Sequence, residues 1–263
     1  MTDARPSVLD HLLIVLVEPG TPGNVGSVCR VMKNTGLQHL VVVRPKRSIL
    51  ADEARWMAHG STDLLESATI VDDLDAAIAD CHLVIGTTHR DGRFRVVYDD
   101  YPSVVGQAVS AATHGHRVAL LFGREKDGLS RDELMRCHHL VRIPSAVPHP
   151  SFNLSHAVLI IAYEFFRQAG KRQSSSDQRL VTAAEMDQLI GRVMEAMGLV
   201  EFRPFNENTG NFERVLRRFF NRAPLERRDA YVVHRICGQI RKFVARHLNR
   251  GQEGASERGT SQR

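Results

Sequence analysis

Cysteine is scarce in this chain. The four that occur, Cys29, Cys81, Cys137 and Cys237, are far apart and form no C-x-x-C pair. That spacing argues against a disulfide framework and a zinc knuckle, and fits a reducing compartment. No apolar run approaches the roughly 20 residues needed to cross a bilayer. The first ten residues mix acidic and basic side chains without an apolar signal core, so no export signal is read and a cytoplasmic location is expected. Gly20, Gly23 and Gly26 do not fit G-x-G-x-x-G, and there is no G-x-x-x-x-G-K-[ST], H-E-x-x-H or G-x-S-x-G. Dinucleotide oxidoreductases, P-loop NTPases, zinc proteases and serine hydrolases all lose support. Cys137-His138-His139 would alternate faces on a strand, so no metal site is expected. Cys29 stands beside Arg30, but no partner base is evident, and it reads as a packed small residue.

What the chain does have is a core and an uneven charge. Its 263 residues are 43% apolar, enough for one large core or a core with a small appendage. The net charge of +5 is concentrated: residues 201–249 hold 11 Lys/Arg against 5 Asp/Glu, whereas residues 1–200 hold 21 against 23. A concentrated basic region suits a polyanionic partner such as nucleic acid, or is simply a solvated helix face.

Residues 11–170 alternate between strand-like and helix-like segments. Leu12–Val17, His39–Val43, Ala68–Val71, His82–Gly86, Arg117–Phe122 and His139–Ile143 read as strands. Helices are expected from an Asn24 N-cap to Gly36, around Glu53–Met57, over Asp72–Asp80 and over Asn153–Gln168. Strands this apolar, alternating with helices, predict an α/β fold with a mostly parallel sheet covered on both faces. Residues 1–170 form the expected domain. A polar, Ser-rich linker follows at 171–181. Residues 182–249 are expected to form a helical extension, with Ala183–Met197, Asn211–Asn221 and Asp229–Leu248 as its helices. Phe212, Val215, Leu216 and Phe219 share one face of the second of these, and Arg214, Arg217 and Arg218 fall largely on the other. Residues 250–263 read as a disordered tail.

Three blocks stand out. Asn24-Val25-Gly26-Ser27-Val28-Cys29-Arg30 opens the first helix. Phe122-Gly123-Arg124-Glu125 and Gly128-Leu129-Ser130 follow a strand. Ile143-Pro144, then Pro150-Ser151-Phe152-Asn153, enter the long apolar helix. Taken singly, each has an ordinary explanation: Arg30 and Lys33 a wet helix face, Gly86-Thr87-Thr88-His89 a turn, Arg124-Glu125 a solvent-facing pair, and Ser151 and Asn153 helix caps. Together, in this order, they resemble the three motifs of the SPOUT RNA 2′-O-methyltransferases, most closely the TrmJ branch.

The resemblance implies a C-terminal trefoil knot, S-adenosyl-L-methionine as cofactor, tRNA as partner, a homodimer, and no metal. It implies methylation of a cytidine or uridine ribose at position 32 of the anticodon loop. The catalytic set it implies is Arg30, Asn24, Glu125 and Ser151, with Glu125 pairing to Asn24 or Arg30. Thr87, Thr88, His89, Gly123, Ile143, Pro150, Ser151, Phe152 and Asn153 would hold the cofactor. Arg30, Lys33, Arg214, Arg217 and Arg218 would meet RNA. A guanidinium stays protonated under ordinary conditions, so Arg30 is expected to clamp phosphate rather than act as a base. The helix from Asn153 to Gln168 is the expected dimer element. Ribosomal RNA as substrate, and a non-catalytic RNA-binding module, remain open beside this reading.

Overall fold

The computed structural model describes residues 7–89, 96–147, 152–170, 179–204, 209–222 and 224–259, with side chains to residue 247. Seven strands form a single sheet: β1 (Leu12–Val17), β2 (His39–Val43), β3 (Thr69–Val71), β4 (Leu83–Thr87), β5 (Val97–Tyr98), β6 (Val118–Phe122) and β7 (His139–Val141). Their order is β3-β2-β1-β6-β4-β7-β5, and every pairing is parallel. The central strands are apolar along their whole length because both faces are covered. On one face, α1 (Pro22–Thr35), α2 (Asp52–Met57), α3 (Thr62–Glu66), α5 (Tyr101–Thr113) and α7 (Leu154–Ala169) contribute to a core around Ile14, Met32, Phe122 and Phe165. The other face packs Val15, Val84 and Leu121 beneath α4 (Leu74–Ile78) and α6 (Arg131–Arg136).

One expected helix cap changes and another holds. Asn24 does not cap α1: the helix begins at Pro22, whose fixed φ suits the first helical position. Asn24 therefore lies inside the first turn, with its side chain free for other partners. Asn153 does cap α7, accepting the Ser155 amide at 2.9 Å. α5 and β5 had not been expected, although Asp100 and Pro102 carry a start signal: Asp100 caps α5 and Pro102 sits in its first turn.

The helical extension comprises α8 (Ala183–Leu199), α9 (Thr209–Phe220) and α10 (Arg227–Gly259). α10 runs on through most of the segment expected to be a tail, and residues 260–263 lie outside the described residues, as do 171–178 of the expected linker. The extension is docked on the sheet domain. Ala183 and Ala184 donate backbone hydrogen bonds to the carbonyls of Cys81 and Ala79, at 2.7 and 3.1 Å. The Asn221 side chain donates to the Met135 carbonyl at 3.3 Å. Asp187 of α8 receives Arg136 from α6 and Arg217 from α9. The extension's own core is small, built on Met186, Leu189, Ile190 and Ala230.

Close helix packing positions α1. A Cβ on Gly26 would fall 2.1 Å from the Ala54 carbonyl oxygen, whereas one on Gly191 of α8 would meet nothing within 4 Å. Gly26→Ala is expected to destabilise the protein by about 1–3 kcal/mol, because α2 must move off α1. Gly191→Ala is expected to stabilise it by about 0.5–1 kcal/mol through helix propensity alone. Urea unfolding of the two variants beside the parent checks the order.

Candidate active site

The carboxyl ends of β4, β6 and β7 surround a cavity of about 230 Å³. Ligands bind outside such strand ends in open parallel sheets. The Thr87 hydroxyl donates to the Leu121 carbonyl at 3.0 Å, and the Thr88 amide donates to the Val141 carbonyl at 3.0 Å, so the end of β4 is tied to both neighbours. Leu129, Val141, Ile143, Phe152, Leu154 and Ala157 make an apolar wall. Thr87, Thr88, His89 and the loop that starts at Gly123 supply polar groups opposite. That loop is a tight hairpin: Arg124 and Gly128 exchange backbone hydrogen bonds of 3.2 and 2.9 Å. Only glycine fits at 123, where a Cβ would lie 2.1 Å from the Gly128 carbonyl carbon, and Gly128 has φ +66°.

At the cavity rim the three sequence blocks meet through side chains. Glu125 accepts the Gly20 amide at 2.9 Å, the Thr21 amide at 3.2 Å and the Asn24 side-chain amide at 2.9 Å. Asn24 Oδ1 in turn accepts from Asn153 Nδ2 at 2.9 Å, and Asn153 Oδ1 accepts the Ser155 hydroxyl at 2.8 Å. Burial pushes the Glu125 carboxyl up, but the hydrogen bonds from Asn24, Gly20 and Thr21 outweigh it and hold it below the ordinary carboxylate value. The carboxylate also faces the positive end of α1. Of the two partners expected for Glu125, Asn24 is the one it engages.

Arg124 turns away from Glu125 and into a second network that sequence reasoning missed. It donates to Glu18 Oε2 at 2.9 Å and grips both oxygens of Glu133 at 3.0 and 2.9 Å. Glu18 also receives Arg44 at 2.8 Å. Glu18 and Arg44 both have positive φ, 48° and 44°, at the ends of β1 and β2. Hydrogen bonds from Arg124 and then Arg44 pull the Glu18 carboxyl down to about 2. Part of this was legible: Ser130-x-x-Glu133 is a capping box, and both of its hydrogen bonds form. The reach of Arg124 to Glu18 was not, because it spans 106 positions of the chain.

Arg30 stands exposed on α1 and makes no hydrogen bond or ion pair among the described residues. Lys33, expected to meet RNA, is about half-exposed on α1 and pairs with Asp63 of α3. Arg217 is only 13% exposed and bonds Asp187 and Glu213, so it clamps the extension rather than facing a partner. Arg214 stays exposed, with Asp132 3.7 Å away. Arg218 is half-buried on the same helix, and neither it nor Arg214 lines the cavity. Pro150 and Ser151 lie outside the described residues. Cys29 is fully buried, and burial pushes its thiol up to about 12, which suits a packing role.

The Glu18 carboxyl is depressed in the folded state, so its contribution to stability is fully present above pH about 4.5 and is lost as pH falls toward 2. Glu18→Gln is expected to cost about 2 kcal/mol at neutral pH. The gap between variant and parent should narrow as acid approaches pH 2, read by urea unfolding across that window.

A sequence profile described as the SpoU rRNA Methylase family matches residues 11–163. A Pectobacterium atrosepticum protein described as tRNA (cytidine/uridine-2′-O-)-methyltransferase TrmJ is 36% identical over 244 residues, covering 89% of this chain and 98% of that one. A Pseudomonas aeruginosa protein described as tRNA (cytidine/uridine/adenosine-2′-O-)-methyltransferase TrmJ is 33% identical over 254 residues, covering 92% and 98%. Among solved structures, a putative methylase family protein from Neisseria gonorrhoeae superposes with a TM-score of 0.66 at 29% identity, over 73% of this chain and 98% of that one. TrmJ from Z. mobilis superposes with a TM-score of 0.73 over 87% and 98%, and at 23% identity that likeness speaks to the fold. With its parallel sheet, its strand-end cavity and the three blocks joined at the rim, the chain belongs to the SpoU methylase family, on its TrmJ branch.

Proposed function

We propose that this protein methylates a ribose 2′-hydroxyl of tRNA, with S-adenosyl-L-methionine as methyl donor and a cytidine or uridine at position 32 of the anticodon loop as target. The observation that carries the reading is the hydrogen-bonded chain Glu125–Asn24–Asn153, which joins three distant blocks at the rim of the strand-end cavity. Relatives of similar length are described as tRNA 2′-O-methyltransferases, which supports the reaction and the substrate class. Their descriptions differ in the bases accepted, so base choice is a property of each member.

The cavity suits the cofactor: an apolar wall at Leu129, Ile143 and Phe152 can take a purine ring, and the polar ends at Thr87, Thr88, His89 and Gly123 can take an amino-acid moiety. Pro150 and Ser151 would complete the cradle. When bound, the cofactor supplies a methyl group activated by a sulfonium. The chain's own contribution is position and charge. Arg30 is a permanent cation with a fork of donors, suited to holding an RNA phosphate and to stabilising negative charge that develops on the ribose oxygen. Glu125 and Asn153 hold Asn24 in one orientation at the rim, on the same helix as Arg30, and Ser151 would help arrange the same mouth.

RNA binding, the knot and the dimer belong to the same proposal. The basic excess of residues 201–249 supports a phosphate grip by the extension, with Arg214 and Arg218 as candidate contacts. The segments that follow β6 and β7 would be tucked as the trefoil knot the family implies. Leu159, Tyr163 and Phe166 are exposed along one stripe of α7 and support a contact with a second copy. The reducing compartment expected from cysteine usage is the cytoplasm.

Two measurements test this reading. Unmodified tRNA transcript, incubated with the protein and labelled cofactor and then digested for nucleoside mass spectrometry, is expected to yield labelled 2′-O-methylcytidine or 2′-O-methyluridine that Arg30→Ala abolishes. Label on ribosomal RNA fragments run alongside, with none on tRNA, would move the substrate to ribosomal RNA; tight tRNA binding without label on either would favour a binding module. Glu125→Gln places a donor against donors, and is expected to lower kcat/KM by about tenfold while the circular dichroism spectrum is retained.

A further inference from the structure

The chain has one tryptophan, Trp56, and it is 77% exposed, the most exposed large hydrophobic side chain among the described residues. Leaving an indole in water is unfavourable, and aromatic side chains set among cations are a recurrent feature of single-strand binding surfaces. Its place in the fold ties it to the candidate active site. Trp56 lies on α2, one helical turn from Glu53, whose Oε1 is 2.7 Å from where a Gly23 Cβ would stand, and Gly23 directly precedes Asn24. Ala54 and Ala58 face α1 at Gly26, one turn before Arg30. That leaves Trp56 on the opposite, outward side of α2.

α2 opens with two carboxylates, Asp52 and Glu53, one turn before Trp56, and two cations, Lys46 and Arg47, lie in the loop that leads into it. Lys46 and Arg47 are exposed, with no hydrogen bond or ion pair from their side chains among the described residues. The Lys46 amide bonds the Pro19 carbonyl at 3.3 Å, placing this segment against the same 19–21 loop that Glu125 holds. Leu50 and Met57, before and after it in the chain, are also exposed, at 43% and 48%. The segment carrying these cations thus meets the loop that enters α1, and α2 packs on α1 at Gly23 and Gly26, the helix that also carries Asn24 and Arg30.

We propose that Trp56 is a stacking platform for an unpaired base of the RNA substrate, with Lys46 and Arg47 holding the phosphates beside it. Trp56 is a positioning residue: it holds the strand so that the target ribose reaches the cavity, and it takes no part in the chemistry. A splayed loop offers unstacked bases, and a π-face accepts any of them, so Trp56 contributes affinity and register with little base selectivity. The inference rests on the RNA-methyltransferase reading above.

The sole tryptophan is its own probe. Indole emission, followed while an unmodified anticodon stem-loop is titrated into the full chain, is expected to be quenched saturably, at the same midpoint as the anisotropy of a labelled copy of that RNA. Acrylamide is expected to quench the free protein readily and the complex poorly. Trp56→Ala should raise KM for tRNA about tenfold with kcat within about twofold, and Trp56→Phe should recover most of the loss. RNA that binds and is methylated while emission and KM stay unchanged would overturn the inference and leave the proposed function standing. RNA that shows no anisotropy change would overturn both. An indole already shielded from acrylamide in the free protein would mean that a second copy of the chain covers it, and would also overturn the inference.

Discussion

The Glu125 carboxylate takes two loop amides and the side-chain amide of Asn24, and the mouth of the cavity is built around that one acceptor. It ties the hairpin after β6 to the loop that enters α1, two segments about a hundred positions apart. It also sits where the first amides of α1 project their positive end, so the charge is satisfied by donors and dipole together. Asn24 relays the constraint to Asn153, and Asn153 caps α7. One carboxylate therefore sets the entry of one helix directly and of another through a relay.

Beneath the rim, a second charge cluster keeps the strand ends in register. Arg124 spans Glu18 and Glu133 with a planar fork, and Arg44 closes Glu18 from the other side. The backbone at Glu18 and Arg44 adopts left-handed conformations that carry some strain, and these ion pairs hold it there. Glycines complete the arrangement by what they omit. Gly26 lets α2 approach α1, and Gly123 lets the hairpin close on itself. The site is rigid because charge pairing and close backbone approach act on the same few loops.

The helical extension shows how ionic and apolar forces divide the work. Its private core is small, so on its own it would be marginal. Docking onto α4 and α6, through backbone hydrogen bonds and the shared Asp187 pair, adds what the core lacks. Arg217 is consumed in that docking. A basic count in sequence thus overstates the charge left for a partner, because part of it is spent inside the molecule.

Much of the fold was legible in the chain, because strand apolarity, helix periodicity and glycine stops are local signals. β1, β2 and β6 sit within a residue of expectation, as does the end of α1 at Gly36. The three blocks were legible too, since their residue types and order survive in one dimension. β5 and α5 were missed, the first for its shortness and the second because a run of Val, Ala and Ser carries little amphipathic contrast. The sequence by itself determined the α/β class, the candidate residues and the sign of charge in each region. Tertiary structure alone decided that Glu125 meets Asn24 rather than Arg30, that Arg124 turns inward, that Lys33 and Arg217 are already paired, and that Trp56 faces out from α2. Each of those choices depends on distances between segments far apart in the chain, and no local pattern encodes such distances.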